Sequence, residues 1–210
     1  MKAFLRANQV RTYIKPLVFA AALTPFVLIA LRAFDLWGPS LGANPVEYLQ
    51  DYIGIWGLRL MLITLAITPL QQLTGQNWLL MLRRMLGLYA LFYCAMHFLC
   101  WLILDQGLLM SAIIEDIVER PFITIGTASL LILIPLGITS LSVLRRKMGP
   151  RRWKRLHQLS YIAAILMVWH YYWQVKLDTV DALVYAIILA ALLGWRLWQK
   201  HISRKQTYPA

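Results

Sequence analysis

A chain of 210 residues that is 60% hydrophobic and only 14% charged, with a mean hydropathy of +0.61, is too apolar for an ordinary soluble domain, where about 45–50% apolar residues is usual. Its formal net charge of +12 and pI near 10.1 would suit a nucleic-acid binder, but the basic residues fall between apolar spans, so they mark membrane topology instead. Two cysteines, Cys94 and Cys100, lie in one apolar stretch and read as buried thiols, with neither metal-type spacing nor a disulfide framework.

Residues 1–15 carry Lys2, Arg6, Arg11 and Lys15 and no acid, the pattern of a short amphipathic segment on an anionic leaflet. The first apolar span, residues 16–34, is too long for a signal-peptide core and lacks a small-residue cleavage site, so it is expected to remain as a helix. The Gly/Pro-rich loop WGPSLGANPVEYLQD follows, with Glu47 and Asp51. The second span, 53–73, contains one charge, Arg59; the turn TGQN then leads to Arg83, Arg84 and a third span, 84–104, that holds His97. Beyond it come Asp105, Glu115, Asp116 and Glu119, within a loop whose middle, LLMSAIIEDIVE, is expected to form an interfacial helix. The fourth span is 122–144, tolerating Pro135 and Gly137 as membrane helices do. The basic run Arg145, Arg146, Lys147, Arg151, Arg152, Lys154 and Arg155 is read as a loop. The fifth span is 156–175 and the sixth 182–198.

The chain therefore reads as all-α, a polytopic six-helix transmembrane bundle (16–198) between a basic N-terminal segment (1–15) and a basic, frayed tail (199–210). Each span suits a hydrocarbon core of about 30 Å. Four, two, seven and three of the 21 Lys and Arg residues fall in the N-terminus, the turn at 83–84, the run at 145–155 and the tail. All nine acids lie in or beside the alternate loops. The positive-inside rule then makes both termini cytoplasmic.

Intramembrane histidines are costly and read as functional. His97 lies 13 residues past Arg84 and His170 lies 15 past Arg155, on helices expected to be parallel. At about 1.5 Å per residue, both sit roughly 20 Å from the basic side. Two imidazoles at matched depth can hold one haem iron in six-coordinate form; the alternative is that each only hydrogen-bonds a neighbouring helix. His157, about 20 Å nearer the basic side and roughly 140° around the helix from His170, could ligate a second, inner iron or contact a quinone or a propionate. Arg84 occupies the matching depth on the third helix. Arg59 needs an anion: an outer-haem propionate, Asp51, or snorkelling to the interface. The basic run is first a topology determinant, with steering of an acidic donor or a flavin phosphate as the second reading. A haem-free transporter or scaffold is disfavoured, because no repeat, broken helix pair or intramembrane carboxylate is evident.

The stretches LGANPVEYLQDYIGIWGLRLMLITLAITPL, RRMLGLYALFYCAMH, RPFITIG and RRKMGPRRWKRLHQLSYIAAILMVWHYYWQVK resemble the MsrQ (YedZ) family. The resemblance covers about residues 8–200, and more distantly the chain is similar to ferric-reductase/NADPH-oxidase transmembrane domains. It implies a haem b subunit of the bacterial inner membrane with one haem, or two if His157 ligates. Electrons would come from the quinone pool or a cytosolic flavin reductase and pass to a periplasmic molybdopterin subunit that reduces methionine sulfoxide in oxidised proteins. FMN is implied by the resemblance alone. The family's histidine ligands map onto His97, His157 and His170, while the oxidase domains' second histidine on helix three is missing, with Arg84 at that depth. The alternative is the transmembrane part of a ferric reductase or NADPH-oxidase-like enzyme with a separate flavoprotein donor.

Overall fold

The computed structural model describes residues 7–175 and 179–207, all helices and connections among these residues. The helices are α1 (Ala7–Ala33), α2 (Pro45–Thr74), α3 (Leu80–Cys100), α4 (Met110–Glu119), α5 (Pro121–Ile138), α6 (Ser142–His157), α7 (Leu159–Gln174) and α8 (Thr179–Thr207). The first six residues of the basic N-terminal segment, residues 176–178 and the last three of the tail lie outside this description. Helix α8 runs through the described part of the tail, to Thr207.

Local chemistry sets these boundaries. Asn44 caps α2 by accepting from the Glu47 amide at 3.4 Å while its own amide donates to the Glu47 carboxylate at 2.7 Å, with Pro45 at the first helical position. Gly75, at φ 71°, stops the same helix in the left-handed conformation that favours glycine. Helix α3 is preceded by a 3-10 turn, Asn77–Leu79, and prolonged by a π-helical turn, Trp101–Asp105. Helix α4 falls where an interfacial helix was expected. Helix α5 ends at Ile138, before the expected 144. Thr139 and Ser140 turn their hydroxyls back onto the carbonyls of Pro135 (2.6 Å) and Leu136 (2.9 Å).

Two expectations change here. The basic run is not a loop: it lies on α6, bent at Gly149 (φ 75°, ψ 160°) just before Pro150. A glycine accepts that backbone and the proline cannot continue the first helical piece. The expected fifth span is also shorter. Among the described residues five helical stretches are long and apolar enough to cross a membrane, whereas α7 has 16 residues, about 24 Å. It is set off from α6 at Gln158, where Gln158 N–H bonds the Arg155 carbonyl and Tyr161 N–H bonds the Gln158 carbonyl, three-residue spacings in place of four.

The core joins Leu58, Met61 and Leu65 of α2, Leu86, Ala90 and Tyr93 of α3, and Ala163, Ala164 and Val168 of α7. Helix α2 packs most extensively on α3, and α5 on α7. Gly57 permits the first closeness, since a Cβ there would lie 3.0 Å from Cys94 Sγ and 3.4 Å from its backbone nitrogen. Both cysteines are free thiols. Tyr93 pins α1: its hydroxyl donates to Ala22 O and accepts from Phe26 N–H, both at 2.9 Å, so it sits inside the helical ladder next to Pro25. Leu17, Ile63, Leu131, Ile165 and Ile187 point outward, the dress of a lipid-facing surface.

Candidate functional site

Helices α3 and α7 bring His97 and His170 together, with ring centroids 6.0 Å apart and planes at 76°. Each ring is anchored through the same atom. His97 Nδ1 lies 2.9 Å from the Gln50 carbonyl of α2, and His170 Nδ1 lies 2.7 Å from the Phe122 carbonyl of α5. A carbonyl only accepts, so each Nδ1 is the protonated nitrogen and each Nε2 keeps its lone pair. That is the arrangement in which a metal-binding histidine is held by a second hydrogen bond.

Both imidazoles line a cavity of about 1210 Å³. Leu58, Leu130 and Met167 form part of its apolar wall, and Glu47, Asp51, Asp105 and Asp181 also line it, which makes this the acidic end of the bundle. The donor set decides which metal fits. Among the described residues no group of three or more His, Cys, Asp or Glu could cage a bare ion. Two neutral imidazoles suit an iron whose other four ligands come from a porphyrin. Metal–imidazole bonds of about 2.0 Å on opposite sides of one ion are compatible with the observed centroid spacing. The cavity is also large beside ordinary ligand pockets of about 300–1,000 Å³. The residues therefore fit a haem.

Arg59 lines the same cavity. Its Nε donates to Tyr185 Oη at 2.9 Å and its guanidinium lies 5.2 Å from the Trp56 ring. The Asp51 carboxylate accepts instead from the Gln174 amide of α7 at 2.6 Å. Arg59 and Asp51, both among the described residues, form no direct ion pair.

His157 stands apart from the pair. It stacks on Trp153 at 4.0 Å, its Nε2 is 3.2 Å from Thr139 Oγ1, and the Trp153 indole N–H donates to the Thr139 carbonyl at 3.0 Å. These contacts tie the end of α5 to the second half of α6. Arg84 does not face this junction: its side chain is exposed, whereas its neighbour Arg83 lies within electrostatic reach of His157 and Arg196. Successive helical residues are rotated by about 100°, so only one of the two arginines can turn inward.

Arg196, in the last apolar span, was not singled out from sequence although a lone intramembrane charge is itself a signal. Its Nη2 donates to the Leu65 carbonyl at 2.7 Å, its Nη1 to Tyr161 Oη at 2.8 Å, and its guanidinium lies 4.9 Å from the Tyr161 ring. The Leu65 carbonyl needs this donor, because its ordinary helical partner would be the missing N–H of Pro69. Gly54 and Gly126 were missed too. Both lie against the paired imidazoles, and nothing in a single glycine codon position announces such a contact.

Comparison with known proteins gives the chain its relatives. A family profile described as ferric reductase like transmembrane component matches residues 53–168, a stretch that includes His97 and His157 and ends two residues before His170. The chain is 47% identical over 196 residues to the protein-methionine-sulfoxide reductase heme-binding subunit MsrQ of Xanthomonas axonopodis pv. citri, covering 92% of this chain and 89% of that protein. It is 46% identical over 184 residues to the MsrQ of Ralstonia nicotianae, covering 86% and 83% of the two chains.

Proposed function

Because this chain belongs to the MsrQ family of haem-binding subunits, within the ferric-reductase-like transmembrane proteins, we propose that it carries electrons across the bacterial inner membrane through haem b. The donor is the quinone pool or a cytosolic flavin reductase. The acceptor is a periplasmic molybdopterin subunit that reduces methionine sulfoxide in oxidised proteins. The observation that carries this reading is the His97–His170 pair, each ring anchored through Nδ1 and each lining one large cavity.

Bound haem supplies a one-electron iron couple there. The chain does the rest. His97 and His170 would hold its iron between them, and two protein ligands would suit electron transfer rather than substrate binding. The Gln50 and Phe122 carbonyls keep the Nδ1 protons in place and fix the ring planes. Arg59 would offset the charge of a propionate, and Leu58, Leu130 and Met167 would keep water from the bound group. The acidic rim is the docking side for the partner, and the basic α6 lies at the cytoplasmic face with both termini, after six crossings. His157 serves the inner side, as ligand of a second haem or as a quinone contact. FMN is carried by the resemblance alone and is assigned no residue.

The test is a reduced-minus-oxidised absorption spectrum of the purified chain with haem quantification, repeated on His97→Ala and His170→Ala. A b-type spectrum that each substitution abolishes supports the reading, and wild-type haem content in either variant refutes the ligand assignment. The ferric-reductase profile favours one second reading, a metal reductase with a separate flavoprotein donor. Ferric iron reduction by chain and donor, without the sulfoxide-reducing partner, would decide for it.

A further inference from the structure

Two glycines occupy equivalent places in two different helix pairs. A Cβ built on Gly54 would lie 2.9 Å from His97 Nδ1 and 3.1 Å from its Cε1. A Cβ built on Gly126 would lie 2.8 Å from His170 Nδ1 and 2.9 Å from its Cε1. In both cases the carbonyl facing that Nδ1 belongs to the residue four positions before the glycine, Gln50 for Gly54 and Phe122 for Gly126. Residues i and i+4 are stacked on one face of a helix, and each Cβ leans toward the N-terminus. A side chain at i+4 therefore covers the flank of carbonyl i, and its absence opens that carbonyl to a donor from another helix.

We propose that Gly54 and Gly126 are positioning residues for the two imidazoles. Each lets one histidine lie flat against a neighbouring helix backbone and donate Nδ1–H to a carbonyl already engaged in that helix. The inference rests on the haem-ligand reading for its consequence, not for its geometry. Small residues often serve helix packing alone in membranes, and Gly57 is such a case, since its added Cβ would meet Cys94 and Tyr93. At Gly54 and Gly126 the three nearest atoms are all imidazole atoms. The same solution reached twice, on α2 and on α5, ties it to the rings. The hydrogen bond it permits raises the basicity of Nε2, which favours the ferric over the ferrous state.

The experiment has two arms. In the haem-loaded full chain, Gly54→Ala and Gly126→Ala are expected to shift or remove the low-spin electron paramagnetic resonance signal. They are also expected to raise the midpoint potential of whatever haem is retained. Gly57→Ala should change neither. In the full chain from haem-depleted cells, Gly54→Ala is expected to lower the thermal midpoint when His97 is present but not beside His97→Ala. Gly126→Ala should behave likewise with His170→Ala, because neighbouring groups reveal their coupling in such cycles. If Gly54→Ala alone does not accumulate, recovery in the double variant supports the proposal. Unaltered signal and potential in both glycine variants, the same shifts from Gly57→Ala, or equal stability losses with and without the ring, overturn it. A wild-type chain without haem would refute the haem reading while leaving the stability cycle able to judge the glycines.

Discussion

Replacing Arg196 by methionine tests whether this side chain is held by the backbone vacancy that Pro69 creates. The substitution removes the 2.7 Å bond to the Leu65 carbonyl, the 2.8 Å bond to Tyr161 Oη and the guanidinium–ring contact at 4.9 Å. An acceptor left without a donor in an apolar setting costs about 1–3 kcal/mol, and the ring contact is worth about 0.5–1 kcal/mol. Relief from burying a charge offsets part of this, so the net loss is about 2 kcal/mol. At about 2–4 °C per kcal/mol for a chain of this size, the thermal midpoint should fall by about 4–8 °C. Pro69→Ala on the same background returns an N–H to the helix. It should recover at least half the loss, whereas Pro69→Ala alone should gain less, because the carbonyl already has its donor. The assay is thermal unfolding in detergent followed by tryptophan fluorescence. Equal effects of Pro69→Ala in both backgrounds would refute the reasoning, for the carbonyl would then not connect the two residues.

Three other outcomes are expected. Tyr93→Phe removes a hydroxyl from between Ala22 O and Phe26 N–H, two groups that can then bond each other. It should therefore cost only about 0.6–1.7 kcal/mol, the range for membrane hydrogen bonds, and leave the haem spectrum intact; a larger loss in the same melting assay would show that the ladder does not close. His157→Ala should retain the low-spin signal of the His97–His170 site, and its disappearance from the resonance spectrum would show that the two locations are not independent. Neutralising Arg145, Arg146, Arg151 and Arg152 to glutamine should produce a fraction of inverted chains, read by cysteine labelling from either side. Uniform wild-type orientation would mean that the other basic segments suffice.

The depth of the two histidines was readable from counting alone. Residue spacings from Arg84 and Arg155 put His97 and His170 at one level, and their rings meet at 6.0 Å. The helix at Met110–Glu119 was equally visible in its run of apolar and acidic residues. Other features were hidden for physical reasons. Whether 83 or 84 turns inward depends on helix rotation, which packing decides and composition does not. The basic run looks like a loop because charge hides the helical propensity of its Arg, Lys and Leu residues, and only Gly149 and Pro150 mark where it bends. Arg59 has an obvious acid two turns away, yet Gln174 from α7 reaches Asp51 instead, a tertiary choice. Gly54 and Gly126 act through carbonyls four residues earlier, and backbone acceptors carry no letter in the sequence.

The unequal packing between helices has a consequence for how the molecule is put together. Helices α2 and α3 form one tight unit, α5 and α7 another, and contact between the units is sparser. His97 is tethered within the first unit and His170 within the second. A haem iron held by both histidines, as proposed above, would bridge the two units. Haem loading would on that reading be felt first at the sparser seam between the two units, not inside either one.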